Sequence, residues 1–338
     1  MNTLTIKLKQ HTPLIHFQHD QDGATLRASE VKPKLDKFVL NNLTQNEYLQ
    51  GVKEGWIKKK NDKVWLDYKM RIEAKGFHDI LLPIKPVKKR GIQQTDEIGR
   101  NLYTTDSYPD NNSSLIMSNI GGRIKEEVHN FSMASSVQMT LLVSNIVLEK
   151  LLSKSLSEFF GKNSFGNRTS KGFGSFEVIS INEQKESSDI YSDSYILSFT
   201  VNLGETIGNK SQVYQDVFKI IYSLWKKLKN ISGVRGKAQN NVLLNIKPQN
   251  IKGAERIPSP ICFKPLIDFY KEEGLYYCDV NISFLINKEV VKQVTGVVDI
   301  TYYAHQLTKL KNNLGNELFV FLTGNAGCKI DRQSVSLE

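Results

Sequence analysis

Cysteine is scarce in this chain: Cys262, Cys278 and Cys328 are its three, odd in number and far apart among 338 residues, which supports neither a disulfide framework nor a zinc knuckle. Long apolar runs are missing too. No stretch approaches the roughly 20 residues that a bilayer span needs, and Met1 to Gln10 has no signal-peptide core. The expectation is a cytoplasmic protein with no membrane partner. P-loop spacing is absent as well, because Gly324-Asn325-Ala326-Gly327-Cys328-Lys329 lacks the required interval. Acid is short relative to base. Lys and Arg number 45 against 35 Asp and Glu, a formal charge of +10, which favours a polyanion, since neutralised phosphates release counterions. A chain with 40% hydrophobic and 24% charged residues has an ordinary soluble composition and the length of two domains.

The stretch that organises the chain is Phe160-Gly161-Lys162-Asn163-Ser164-Phe165-Gly166-Asn167-Arg168-Thr169-Ser170-Lys171-Gly172-Phe173-Gly174-Ser175-Phe176. Gly166, Gly172 and Gly174 permit positive φ and a concave run of N–H groups, while Arg168 and Lys171 add full charges that phosphates can use. A flexible connector has the same composition, so the flanks decide the reading. Upstream, Phe131, Met133, Val137, Met139, Leu141 and Val143 share one parity, the pattern of a strand with one buried face. Ser144 or Asn145 can then cap a helix, in which Leu148, Leu151, Leu152, Leu156, Phe159 and Phe160 recur at three and four residues and Gly161 sits at the expected C′ position. Phe173 to Ile181 reads as a strand again.

Leu4, Ile6 and Leu8 predict a half-buried and central opening strand. His11, His16, His19 and Asp20 follow and invite a metal or acid–base reading. No matching ligand cluster lies elsewhere, so neither a metal nor a cofactor is expected, and a polar loop before a helix remains. Ser29 lies near that helix's cap and Leu35, Phe38 and Val39 face inward. Arg27, Lys32 and Lys34 stand at its entry, where cations oppose the macrodipole, so an external anion is expected to compensate them. From about residue 43 to 130 the periodicity weakens into an expected insertion, with a strand through Met70, Ile72 and Ala74, basic runs at Lys58-Lys59-Lys60 and Lys85 to Arg90, a turn-rich loop from Tyr103 to Ser114, and Gly121-Gly122-Arg123-Ile124-Lys125.

The polar stretch Asn182 to Asp193 marks the expected boundary between domains 1–185 and 186–338. A strand through Phe199, Val201 and Leu203 precedes an amphipathic helix with Val213, Val217, Ile220, Ile221, Leu224 and Leu228 inward. Gly233-Val234-Arg235-Gly236-Lys237 repeats the glycine-and-cation theme. Strands at Ile261–Ile267 and Tyr276–Ile286 are expected around the turn Lys271-Glu272-Glu273-Gly274, and a last helix spans Val298 to Asn313. The second half echoes the first, and the expected fold class is α+β, two tandem ferredoxin-like domains with a long insertion in the first.

The pattern Thr12-Pro13, then Leu26-Arg27-x-Ser29-x-Val31-Lys32-x-x-Leu35, together with Gly166-Asn167-Arg168-x-x-Lys171-Gly172-Phe173-Gly174-Ser175-Phe176, resembles the RAMP superfamily of CRISPR effector subunits, most closely the first RAMP subunit of type III-B (Cmr) complexes. The two motifs anchor residues 1 to 181. Pro33 replaces a usual glycine, and Asp36 stands where a basic residue often follows. The resemblance implies tandem RRM-like domains and a non-catalytic subunit near the 3′ end of the guide RNA. Its implied partners are guide RNA, target RNA and other effector subunits, in antiviral defence. The residues expected to bind RNA are Arg27, Lys32, Lys34, Gly166, Arg168, Lys171, Gly172, Gly174, Arg235 and Lys237. Phe165, Phe173 and Tyr103 are candidates to stack a base, though an aromatic beside a glycine is more often core. Two other readings stay open: a metal-independent guide-processing ribonuclease using His11, His16 or His19, and a structural adaptor whose basic loops bind only protein.

Overall fold

Alternation in the first ten residues produces the strand on which the first half assembles. β1 (Asn2–Gln10) buries Leu4, Ile6 and Leu8 and exposes Thr3 and Lys7. The computed structural model describes residues 1–15, 25–83, 94–95, 101–102, 128–185, 195–207, 210–231 and 261–286. After β1 come α1 (Ala28–Asn42), α2 (Gln45–Lys53), a hairpin of β2 (Ile57–Lys60) and β3 (Lys63–Leu66), β4 (Tyr68–Pro83), and a two-residue pair of β5 (Gln94–Thr95) with β6 (Asn101–Leu102). β7 (Val128–Val143), α3 (Ile146–Lys162), a 3-10 turn (Thr169–Lys171), β8 (Phe176–Ile181) and β9 (Gln184–Lys185) complete this half.

The sheet is five-stranded and antiparallel in the order β4-β7-β1-β8-β9, so β1 is central, as its pattern predicts. Val31, Leu35 and Val39 of α1 and Leu148, Leu152, Leu156, Phe159 and Phe160 of α3 form one core with Leu4, Ile6, Leu8, Val137, Met139 and Leu141. Asn145 caps α3, its Oδ1 accepting from the N–H groups of Val147 at 2.8 Å and Leu148 at 3.0 Å.

Three local expectations are corrected. Gly161 lies inside α3, buried, and the helix ends at Asn163 in extended conformation, φ −120° and ψ 141°. The terminal carbonyls find donors elsewhere, so no left-handed glycine is needed. Ser29 is exposed within α1, whose N-cap is Arg27. The span expected to be an insertion supplies framework in its first part: α2 begins with a capping box between Thr44 and Glu47, and β4 pairs with β7 from Tyr68↔Val143 to Pro83↔Val128.

The second described half comprises β10 (Tyr195–Gly204), α4 (Lys210–Ile231), β11 (Ile261–Glu272) and β12 (Leu275–Ile286), with sheet order β10-β12-β11. Phe199, Val201, Val213, Val217, Ile220 and Ile221 are buried on the expected faces and Leu203 is half-buried, while the side chains of Leu224 and Leu228 lie outside the described residues; Phe263, Ile267, Cys278, Val280 and Ile282 are buried as well. The N-terminal turns of α4 also close the free edge of β4: the Leu81 N–H donates to Ser211 Oγ at 3.1 Å, and Gln215 Nε2 donates to the Leu81 carbonyl at 3.2 Å. The chain is therefore a mixed α/β protein with antiparallel sheets, and its two halves are in contact.

Candidate nucleic-acid interface

The glycine-rich loop lies between the entry of α1 and the second half of the chain, and this position determines what it can offer a ligand. Arg168 at φ 59°, Gly166 at φ 76°, Gly172 at φ 89° and Gly174 at φ 67° are all left-handed. Glycine is obligatory at two of these positions for a further reason. A Cβ on Gly166 would stand 2.5 Å from the Ile15 carbonyl oxygen, and one on Gly174 would overlap that of Phe165.

The amide donors of this loop are largely spent within the protein. Phe165 N–H donates to Gly174 O at 2.9 Å, Asn167 to Ile15 O at 2.6 Å, Gly172 to Thr169 O at 3.1 Å and Gly174 to Pro13 O at 2.8 Å. Gly166 N–H donates to Glu30 Oε1 at 2.6 Å. Ser175 N–H donates to Thr12 Oγ1 at 2.9 Å, while the Thr12 hydroxyl donates to Gly172 O at 2.7 Å. The expected seat of amides open to phosphate is corrected accordingly: these bonds fasten the loop to the segment Pro13–Ile15 and to α1. Phe165 and Phe173 are buried, so neither faces a base, whereas Tyr103 lies outside the described residues.

What remains for an anion is side-chain charge. Arg168 and Lys171, at the two ends of the 3-10 turn, are half-exposed, and burial lowers the guanidinium pKa below its ordinary value. Arg27 is exposed at the head of α1. Lys34 Nζ is 3.1 Å from Glu30 Oε1, 3.5 Å from the Ser164 carbonyl and 4.9 Å above the Phe165 ring, which joins the α1 entry to the loop. Lys32 is engaged elsewhere: its Nζ donates to Asp36 Oδ2 at 2.9 Å and to Leu66 O at 3.1 Å, and stands 4.1 Å over Tyr68. The acid at position 36 thus holds the lysine four residues before it. Arg235, Lys237, His16, His19, Asp20, the run Lys85 to Arg90, the segment 121–125, the expected helix 298–313 and the segment 324–329 lie outside the described residues.

Sequence reading missed the group that backs the loop. Lys264 is fully buried, and its Nζ donates to the carbonyls of Phe160 at 2.5 Å, Asn163 at 3.0 Å and Phe176 at 2.9 Å. Burial pulls its pKa down to about 8. His11 is likewise enclosed. Its Nδ1 lies 2.9 Å from the Ile267 amide nitrogen and 3.1 Å from the Ile267 carbonyl oxygen, and its Nε2 lies 3.1 Å from Glu177 Oε2. Lys9 pairs with Asp268 beside it. The one available signal was a lone lysine between Phe263 and Pro265 in the otherwise apolar run Ile261–Ile267.

A mixed α/β chain with antiparallel sheets and a glycine-rich loop between α3 and β8 has the features of a RAMP subunit. Residues 1–233 match the family model described as the Cmr1 N-terminal domain, and the chain belongs to that family, the first RAMP subunit of type III-B complexes. Among solved structures it is similar to Cmr1 from Pyrococcus furiosus in its apo form, with 14% identity, a TM-score of 0.41 and coverage of 84% of this chain and 88% of that one. It is also similar to a chain of the type III-B Cmr-beta complex bound to cognate target RNA, with 11% identity, a TM-score of 0.32 and coverage of 54% and 60% respectively. No curated protein matches the chain.

Proposed function

We propose that this chain is a non-catalytic RNA-binding subunit of a type III-B CRISPR effector in the cytoplasm, holding the 3′ part of the guide RNA and its target in antiviral defence. The observation that carries the reading is that Arg168 and Lys171 stand in the glycine-rich loop and Lys34 reaches it from α1, the helix headed by Arg27, in a chain of formal charge +10 from the Cmr1 family. Phosphates are bound there by side-chain charge, so backbone is read rather than sequence. Lys32, committed to Asp36 and Leu66, supports the helix that presents the others.

Two tandem ferredoxin-like units carry this surface. In the first, the string β1-α1-β4-β7-α3-β8 has the sheet order β4-β7-β1-β8; in the second, β10-α4-β11-β12 has the order β10-β12-β11, the same arrangement for its first three strands. The ribonuclease reading is disfavoured at His11, because both of its ring nitrogens are engaged and its side chain is buried.

The test is a titration of single-stranded RNA against the full chain at several salt concentrations, with Arg168→Ala/Lys171→Ala beside it. Loss of two phosphate contacts flattens the slope of log affinity against log salt by roughly 1.5 units. An unchanged slope moves the site away from the loop, to Lys85–Arg90 or to Arg235 and Lys237. Cleavage of the RNA by the pure chain, abolished in His16→Ala or His19→Ala, overturns the non-catalytic assignment.

A further inference from the structure

The hairpin of β11 and β12 carries the opposite charge from the chain as a whole. Between residues 268 and 279 stand Asp268, Glu272, Glu273 and Asp279 against Lys271 alone. Tyr270 and Tyr277 are direct cross-strand partners on the face opposite α4, with ring centroids 5.5 Å apart and planes inclined by 20°. Tyr270 is 37% exposed, enough for its ring to receive a partner. Lys271 belongs to the other face, its ammonium 4.8 Å over the Tyr276 ring, so it does not neutralise this one.

Asp279 and Asp268 are also paired directly across the strands, an arrangement of like charges that costs stability unless cations are supplied. Lys9 supplies one, to Asp268. Among the described residues no cation pairs with Asp279. Its Oδ1 accepts from the Thr200 hydroxyl at 2.6 Å and from the Tyr270 hydroxyl at 3.3 Å, and among the described residues no donor reaches Oδ2, the atom to which an incoming donor would bind. The Tyr270 phenol is accordingly raised, by desolvation first and then by Asp279 and Glu272.

We propose that the open face of β12 and β11 around Tyr270, Tyr277 and Asp279 docks a basic protein segment of a neighbouring subunit, placing an arginine or lysine side chain on the tyrosine pair and against the Asp279 carboxylate. The aromatic rings supply a cation–π seat and the carboxylates supply the counter-charge, with Glu272 and Glu273 steering the approach. The same negative charge repels phosphate, so this face is distinct from the RNA surface and does not depend on the assignment of that surface.

The experiment uses the full chain with a fluorescein-labelled nona-arginine peptide and, separately, a labelled oligouridine, each followed by anisotropy. Because the chain is net cationic, binding of the peptide requires a local acidic surface. Glu272→Lys/Glu273→Lys, confined to the exposed turn, is expected to weaken peptide binding about tenfold, and Tyr270→Ala to weaken it comparably, with oligouridine affinity unchanged or raised. No saturable peptide binding to the unaltered chain, or peptide affinity unaffected by both variants, overturns the proposal. Loss of oligouridine affinity in Tyr270→Ala also overturns it, making the tyrosine pair a base-stacking platform. A reduced RNA salt slope in Arg168→Ala/Lys171→Ala with peptide binding intact separates the two surfaces.

Discussion

Lys264 Nζ, in the first strand of the β11–β12 hairpin, donates to the Asn163 carbonyl at the end of α3 at 3.0 Å, a link between residues 101 apart in sequence. The same ammonium takes the carbonyls of Phe160 and Phe176, so a cation from the second half terminates a helix of the first, where it also complements the dipole.

Lys264→Met is therefore expected to destabilise the whole chain. Three carbonyls lose their donor, at about 1–3 kcal/mol for each one that water cannot reach, partly offset by no longer burying an ammonium. A melting temperature lowered by several degrees checks this, and one equal to that of the unaltered chain refutes it.

His11 sets a pH dependence. Burial holds its pKa below the ordinary 6.5, with the Glu177 bond opposing that shift. Above 6.5 both folded and unfolded chains keep the ring neutral; below it the unfolded chain takes up a proton that the folded chain resists. Stability contributed by this site is thus expected to be level above that pH and to fall on acidification through it. Thermal melts from about pH 8 to pH 5, compared with His11→Asn, report the difference; identical slopes for the two proteins in that window sink the assignment.

Two glycines separate backbone strain from steric overlap. Gly204 has φ 80° and nothing within 4 Å of a built Cβ, whereas at Gly174, with φ 67°, a Cβ meets the Phe165 carbonyl oxygen. Gly204→Ala is expected to cost about 1 kcal/mol, the left-handed penalty alone. Gly174→Ala should exceed the roughly 0.5–3 kcal/mol of ordinary substitutions and reduce soluble yield. Equal costs in denaturant melts would mean that the loop relaxes freely.

Hydrophobic periodicity alone determined β1, β7, α3, β8, β10, α4 and the β11–β12 hairpin, because which face of a strand or helix leaves water is written in residues two, three or four apart. The charge excess and the glycine-and-cation loop were likewise legible. Only the tertiary structure decided what the loop's amides bind. Their acceptors are Glu30, Pro13, Ile15 and Thr12, more than 130 residues away in sequence, and no local pattern specifies such pairing. The same holds for Lys32, which reads as a free cation until Leu66 and Asp36 are found beside it, and for Lys264, whose three carbonyl partners lie 88 to 104 residues upstream. Solvation preferences are carried residue by residue, whereas the partner of a buried donor depends on which distant segment the fold brings within about 3 Å.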